Sequence, residues 1–184
     1  TKIDIDEGAD PSRFDRVNWT ANNAEIDHMV DKVAFMRESL PKNIELAVDM
    51  HGRYDVGTAK RVAKELEPFR LLWLEEPTIP DDIEGSARIL REGGVPVACG
   101  ENLHTIYEFK NLMAANGLSF AEPDVCNCGG MTSFRKIGVL AEAHNLPLTS
   151  HGAHNLTVHL MAAAPNRSYM ELHGFSLDAY LKDP

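Results

Sequence analysis

Residues 71–102, LLWLEEPTIPDDIEGSARILREGGVPVACGEN, decide the fold of this chain. The stretch opens with a short apolar run at 71–75 and closes with another at 95–99, and both runs have the length of buried strands. Between them an amphipathic helical pattern ends at Gly93 and Gly94, a common helix stop. A strand, a helix and a second strand in this order are typical of a βαβ unit in a parallel sheet.

The same alternation extends in both directions from this unit. Strand-like runs occur at 2–5, 45–50, 71–75, 95–99, 118–121, 146–150 and 168–172. Helical patterns fall between them, at 25–40, 58–67, 81–92, from 105 onward, 133–144 and 154–164. Asn22 with Glu25, and Thr105 with Glu108, predict capping boxes at two helix starts, and Pro68 is expected to stop the second helix. We therefore predict an α/β fold with parallel strands.

Three acidic residues stand at the carboxyl ends of consecutive strand-like runs. Asp49, Glu75 and Glu101 are separated by 26 residues each, about the length of one βα unit of a barrel. An open doubly wound sheet is the other arrangement of such units, but no glycine-rich phosphate motif follows the first strand. In a closed barrel the strand ends converge on one mouth, so three carboxylates there predict a Mg²⁺ site. The alternative is that these acids are merely solvated or cap the next helix.

Titratable side chains also mark the ends of later strand-like runs. Asp124 follows the fifth run, His151 closes the sixth and Glu171 ends the seventh. An aspartate beside a histidine holds the imidazole in one tautomer and raises its basicity, so Asp124 and His151 are candidates for proton transfer. His51 lies two residues beyond Asp49, and strand alternation is expected to point both side chains to the same side.

Taken in order, these segments resemble the enolase superfamily and, within it, the mandelate racemase subgroup. The resemblance is carried by VDMHGRYD (48–55), LLWLEEP (71–77), CGENL (99–103), PDVCNCGG (123–130) and the run from SHGAHN (150–155) to YMELHGF (169–175). It covers nearly the whole chain. It implies a TIM-like (β/α)7β barrel and an enzyme that uses Mg²⁺ while a base removes the proton α to a carboxylate.

The resemblance implies a role for each strand-end residue. Asp49, Glu75 and Glu101 match the Mg²⁺ ligands of the family. Asp124 and His151 match its His–Asp dyad, in which His151 is the general base or acid.

The same resemblance covers the substrate-binding positions. Glu171 matches the acid that hydrogen-bonds the substrate carboxylate and steadies the enediolate, and Lys2 matches the first lysine of the family's KxK motif. Asp4 stands where the second, base-acting lysine would be, which argues against two-base racemisation. His51 lies in a D-x-H arrangement like that of acid-sugar dehydratases such as galactonate dehydratase, where it would bind substrate and share acid–base work with His151. Arg53 either hydrogen-bonds a polyol or carboxylate or lies in a surface loop.

These residues predict a Mg²⁺-dependent lyase that dehydrates a sugar acid to a 2-keto-3-deoxy acid. A racemase, epimerase or cycloisomerase of the mandelate racemase type is the alternative within the family. A catalytically inactive barrel fragment that serves as a binding module is the alternative from another class. A barrel enzyme for a phosphorylated substrate ranks lower, because no glycine-rich phosphate loop lies near the last strands.

The composition limits the partners and the compartment. Hydrophobic residues make up 43% and charged residues 25% of the 184 residues, a normal globular mix. A net charge of −10 without a basic stripe argues against nucleic acid and anionic membranes, and leaves a small anionic hydroxy acid as the expected partner. The three cysteines make a poor disulfide framework, which favours the cytoplasm.

Residues 1–184 are expected to form part of one enolase-type C-terminal catalytic barrel domain. The capping domain, first barrel strand and C-terminal tail that the resemblance implies are not in this sequence. The resemblance also implies a homo-oligomer.

Overall fold

Parallel strands alternate with helices through residues 1–5 and 17–172, the part of the chain that the computed structural model describes. The strands are β1 (Lys2–Asp4), β2 (Ala47–Asp49), β3 (Leu74–Glu75), β4 (Val97–Cys99), β5 (Phe120–Ala121), β6 (Leu148–Ser150) and β7 (Arg167–Met170). The helices are α1 (Asn23–Ser39), α2 (Val56–Leu66), α3 (Ile83–Gly93), α4 (Ile106–Ala114), α5 (Met131–Ala143) and α6 (His154–Ala163). The predicted α/β class, with parallel strands and alternating helices, is confirmed.

The two predicted capping boxes are present and explain where α1 and α4 begin. Asn22 accepts a hydrogen bond from the backbone N–H of Glu25 at 3.0 Å, and Glu25 accepts one from the backbone N–H of Asn22 at 2.8 Å. Thr105 and Glu108 exchange the same two bonds at the start of α4. These bonds satisfy backbone donors that the first helical turn would leave without an intrahelical acceptor.

Replacing Asn22 by alanine is expected to lower the free energy of unfolding by about 1 kcal/mol, because the substitution removes the acceptor that caps α1. Urea unfolding measures the change. Asn22→Ser is the matched control, since serine keeps a capping oxygen and should cost far less. Equal losses in the two variants would contradict the assignment.

Residues Thr1–Ala98 form one compact unit. In it, β1 pairs with β2, β2 with β3 and β3 with β4, all in parallel. The register aligns Asp4 with Asp49 and Asp49 with Glu75, so three carboxylates occupy the same level at the ends of neighbouring strands. The strands β2, β3 and β4 are buried, β1 is partly exposed, and α2 packs against both α1 and α3. This unit therefore places acidic side chains at one sheet edge.

Residues Cys99–Pro184 form a second compact unit. Here β5 pairs with β6 and β6 with β7, again in parallel, and the carbonyl of Cys99 accepts a bond from the N–H of Glu122 just beyond β5. Helices α4, α5 and α6 pack in sequence, with Phe109 and Phe134 buried beneath them. A parallel bridge between Asp124 and His151 joins the segments that follow β5 and β6.

Several element boundaries differ from the sequence predictions by a few residues, and one of them affects the site. The last strand ends at Met170 rather than at residue 172, so Glu171 follows the strand instead of ending it. The α-helix α2 ends at Leu66, two residues before Pro68, as predicted, and the proline lies in the 3₁₀ turn, Glu67–Phe69, that follows. Proline fits there because the first residues of a helical turn need no N–H donor. Within the described ranges, no helix combines the length and apolar character that crossing a membrane requires.

Candidate metal and proton-transfer site

A lysine lies between two buried carboxylates in the first unit. The Lys2 Nζ atom is 2.5 Å from Glu75 Oε1 and 3.2 Å from Asp49 Oδ2. The other oxygen of Glu75, Oε2, accepts a hydrogen bond from Trp73 Nε1 at 2.8 Å. Glu75 is fully buried and Asp49 nearly so. Two carboxylates at this depth need compensating positive charge, and Lys2 supplies one unit of it.

The charge balance of this pair is incomplete with lysine alone. Burial and the nearby charge of Asp49 together raise the pKa of Glu75 to about 8, although Lys2 opposes both effects. A divalent cation against the same carboxylates would favour the ionised form. Carboxylate oxygens on strand ends are the donors that Mg²⁺ prefers, so Asp49 and Glu75 fit a magnesium ion.

In the absence of divalent metal, the protein is expected to lose stability relative to the Glu75→Gln variant as pH rises from 4.5 to about 8. Between these values the folded protein keeps the Glu75 proton while the unfolded chain has released it, so rising pH favours unfolding. The raised pKa thus contributes stability that is complete below 4.5 and lost by about 8. Urea unfolding in the presence of a chelator measures the free energy of unfolding of wild type and variant at each pH. The difference between the two proteins removes the contribution of the titrating groups that they share. A difference that does not change with pH would contradict the raised pKa.

His51 reaches the edge of this site by a backbone turn. The strand β2 ends at Asp49, and His51 has a left-handed φ of 51°, so strand alternation does not determine where its ring points. The ring nevertheless lies close to Asp49, with Nε2 3.5 Å from Asp49 Oδ2 and 3.8 Å from Asp4 Oδ1. The N–H of Gly52 holds the turn by donating to the carbonyl of Glu76 at 2.7 Å. The side chain of His51 is partly exposed, so a small molecule can reach it.

In the second unit, His151 is surrounded by carboxylates. Its Nδ1 lies 2.7 Å from Asp124 Oδ2, and its Nε2 lies 3.0 Å from Glu101 Oε2 and 3.8 Å from Glu171 Oε2. An ionised carboxylate only accepts hydrogen bonds, so Nδ1 is the donor to Asp124. The predicted pair of Asp124 and His151 is therefore in hydrogen-bond contact, and Nε2 is the nitrogen left to exchange a proton with another group.

The environment keeps Asp124 ionised. Burial by itself would raise its pKa, but hydrogen bonds from His151 and from the backbone N–H of Cys126 and Asn127 outweigh burial and leave the pKa below its ordinary value. The Cys126 N–H lies 2.6 Å from Asp124 Oδ1. A carboxylate that stays charged holds the imidazole proton on Nδ1.

Glu101 and Glu171 are fixed by neighbouring amides. The side-chain amide of Asn102 donates to Glu101 Oε1 at 3.1 Å, and that of Asn127 donates to the Glu101 carbonyl at 3.0 Å. Glu171 Oε2 accepts the backbone N–H of Gly152 at 2.8 Å. Both carboxylates therefore face His151 in defined positions.

Arg53 lies in the turn that follows His51. Its N–H donates to the carbonyl of Met50, and its own carbonyl accepts the N–H of Trp19. Trp19 stacks on the buried Tyr54 with ring centroids 5.6 Å apart. The backbone of Arg53 thus anchors the segment before α1, and its substrate-binding role stays a prediction.

Sequence reasoning missed two residues of the site. Trp73 donates to Glu75, and its position two residues earlier in the same predicted strand was a usable signal. Gly152 binds Glu171 through its backbone, and its φ of 55° could not be read from the sequence. All three cysteines, Cys99, Cys126 and Cys128, are free thiols.

The chain matches known proteins over most of its length. Residues 4–184 match the family model described as Enolase C-terminal domain-like. A 3,6-anhydro-alpha-L-galactonate cycloisomerase of Streptomyces coelicolor is 50% identical over 93% of this chain and 47% of its own. A D-galactonate dehydratase of Pectobacterium atrosepticum is 38% identical over 71% of this chain and 34% of its own.

Solved structures give the same relationship. The crystal structure of a racemase from Streptomyces coelicolor A3(2) with bound magnesium has a TM-score of 0.80 and 49% sequence identity, over 86% of this chain and 47% of that one. The chain thus spans about half the length of these two Streptomyces coelicolor relatives. The resemblance read from the strand-end motifs, and the partial barrel that it implies, are confirmed. The chain therefore belongs to the Enolase C-terminal domain-like family, within the mandelate racemase subgroup of the enolase superfamily.

Proposed function

We propose that the protein abstracts the proton α to the carboxylate of a sugar acid in a Mg²⁺-dependent reaction, and that it thereby dehydrates the acid to a 2-keto-3-deoxy acid. The observation that carries this proposal is the 2.7 Å contact between His151 Nδ1 and the ionised Asp124, which orients an imidazole base among strand-end carboxylates. A positioned base of this kind contributes typically about 10²–10⁴-fold to a proton transfer.

Asp49, Glu75 and Glu101 would hold the Mg²⁺ ion. The pairing of Asp49 with Glu75 across β2 and β3, and the pKa that burial raises in Glu75, support a cation at this edge. Glu101 follows β4 by two residues, and Ala98 of that strand is the register partner of Glu75. When bound, Mg²⁺ would neutralise charge on the substrate carboxylate and on the enediolate.

His151 is the proposed base, and it acts through Nε2. Nδ1 is committed to Asp124, so Nε2 is the position that takes the α-proton. Glu171 lies 3.8 Å from the same nitrogen, close enough to hydrogen-bond the carboxylate of a substrate held there. Glu171 and His151 would therefore bracket the carbon that loses its proton.

His51 and Lys2 would complete the acid–base set from the first unit. His51 is the proposed acid that protonates the departing β-hydroxyl, since its partly exposed ring lies beside Asp49. Lys2, with its ammonium group against Asp49 and Glu75, would bind the substrate carboxylate at the metal edge. Arg53 is proposed as a further contact for the substrate's hydroxyl groups.

A cycloisomerase is the second candidate, and the identity of a relative favours it. The cycloisomerase of Streptomyces coelicolor is 50% identical to this chain, whereas the dehydratase of Pectobacterium atrosepticum is 38% identical. Both reactions begin with loss of an α-proton and differ in the group that leaves next. The first half of the proposed mechanism is common to both.

Product mass distinguishes the two reactions. The protein expressed from its complete gene is incubated with Mg²⁺ and a panel of aldonic, aldaric and anhydro-sugar acids. The masses of the products are then measured by mass spectrometry. Dehydration yields a 2-keto acid lighter than the substrate by one water, whereas cycloisomerisation leaves the mass unchanged. If no acid sugar changes in either way, and none exchanges its α-hydrogen with deuterated water, the proposed function is wrong.

We further propose that residues 1–184 act within one catalytic barrel domain, and that the protein forms a homo-oligomer in the cytoplasm. Free cysteines support a reducing compartment. The expected partner is a small anionic hydroxy acid rather than nucleic acid or membrane.

A further inference from the structure

The turn between β6 and α6 brings a glycine against two carboxylates of the candidate site. Gly152 follows His151 directly and has a left-handed φ of 55°. Its N–H donates to Glu171 Oε2 at 2.8 Å. In this orientation the backbone of Gly152 holds the carboxylate of Glu171.

The missing side chain of Gly152 is equally important. A Cβ atom at this position would lie 2.7 Å from Asp124 Oδ2, which is closer than non-bonded carbon and oxygen approach. The same Oδ2 atom lies 2.7 Å from His151 Nδ1. The oxygen of Asp124 that bonds to His151 therefore occupies the space that a side chain at residue 152 would need.

Other contacts hold this turn in place. The backbone N–H of His151 donates to the carbonyl of Pro123, and the buried hydroxyl of Thr157 lies 3.5 Å from the Gly152 carbonyl. Because both flanks of the turn are bonded, a side chain at residue 152 cannot easily be accommodated by a shift of the backbone. Asp124 would have to move instead.

We propose that Gly152 is a positioning residue for the proton transfer, because it sets Asp124 and Glu171 on either side of His151. The absent Cβ leaves room for the hydrogen bond that orients the base, and the N–H fixes the acid that faces the substrate. The inference deepens the proposed function and rests on it, but the geometry of the Asp124–His151 pair can be measured without substrate.

The test is Gly152→Ala in the protein expressed from its complete gene, with Gly130→Ala as the matched control. Gly130 also has a positive φ, of 87°, so alanine strains its backbone as well, but a Cβ there would meet no atom within 4 Å outside its own neighbours in the chain. Gly152→Ala is expected to lower kcat by about 100-fold with little change in KM, the size of effect that a misplacement of about 1 Å produces. The low-field proton resonance of the His151–Asp124 hydrogen bond should disappear. Gly130→Ala should keep both the resonance and kcat.

Measuring the resonance tests the positioning role of Gly152 independently of the proposed reaction. If wild type converts no acid sugar, the reaction is wrong, yet loss of the resonance in Gly152→Ala alone still supports the positioning role. If the resonance and kcat persist in Gly152→Ala, the positioning role is wrong, whatever the reaction.

A second variant keeps the test decisive if Gly152→Ala folds poorly. In an Asp124→Ala background the clash is gone, so adding Gly152→Ala should lower the melting temperature much less than it does in wild type. Equal decreases in the two backgrounds would show that backbone strain alone, rather than the contact with Asp124, accounts for the effect, and would overturn the proposal.

Discussion

Replacing His151 by asparagine is expected to lower kcat for the acid substrate by about 10²–10⁴-fold, which is the contribution of a positioned base. Asparagine can still accept or donate a hydrogen bond near Asp124, but it cannot take up a proton at neutral pH. The exchange of the substrate's α-hydrogen with deuterated water should fall by the same factor, because that exchange reports the step that His151 is proposed to perform.

The matched control is His159→Asn. His159 lies on the exposed face of α6, eight positions after His151 in the same unit. The control variant should keep wild-type exchange and turnover. If His151→Asn retained exchange while His159→Asn behaved the same way, the base would have to be another residue, and His51 or Lys2 would be the next to test.

Asp124→Asn is a second test of the hydrogen-bonded pair of Asp124 and His151. The asparagine side chain can donate its NH₂ group to His151 Nδ1, which favours the tautomer with the proton on Nε2. A neutral amide does not hold the imidazole proton on Nδ1 as the carboxylate does. We expect a loss of kcat comparable to that of His151→Asn, and no further loss when the two are combined. Losses that multiply in the double variant would contradict a shared role.

The strand–helix alternation made the fold predictable, because its signals are local. The apolar runs, the helical stripes and the two capping boxes each depend on residues within a few positions of one another. The ends of elements were less well predicted. Glu171 lies beyond β7 because strand pairing ends at Met170, and the apolar character of the sequence continues past that point.

The residues of the candidate site also differ in how well the sequence predicted them. Strand-end position pointed to Asp49, Glu75 and His151, because a carboxylate or imidazole after a buried strand is visible in the sequence. The position of His51 was inferred from strand alternation, yet its ring reaches Asp49 through a left-handed turn. The role of Gly152 depends on a contact with Asp124, 28 residues earlier in the chain, and no local pattern indicates such a contact.

Substituting Glu75 by glutamine is expected to abolish Mg²⁺ binding within the range of isothermal titration calorimetry, and with it the activity. Glutamine has the shape of glutamate but removes one of three proposed anionic ligands. Even the loss of an outer hydrogen-bond partner of a metal ligand costs about 10–100-fold in affinity, so the loss of a ligand should exceed that range. The neighbouring Glu76→Gln is the matched control, since Glu76 is also a buried glutamate but is not in the proposed ligand set.

The pH dependence of Mg²⁺ binding provides the final discrimination between a metal site and a structural cluster of acids. Burial raises the pKa of Glu75 to about 8 in the metal-free protein, so at neutral pH an incoming ion must displace the Glu75 proton. The apparent Mg²⁺ affinity is therefore expected to rise as pH increases toward 8, and titrations in buffers of different ionisation enthalpy should show proton release on binding. Affinity that is independent of pH, or equal in the two glutamine variants, would mean that Mg²⁺ does not bind at Glu75. In that case Lys2 alone would balance the charge of this buried pair, and the proposed chemistry would lose its metal.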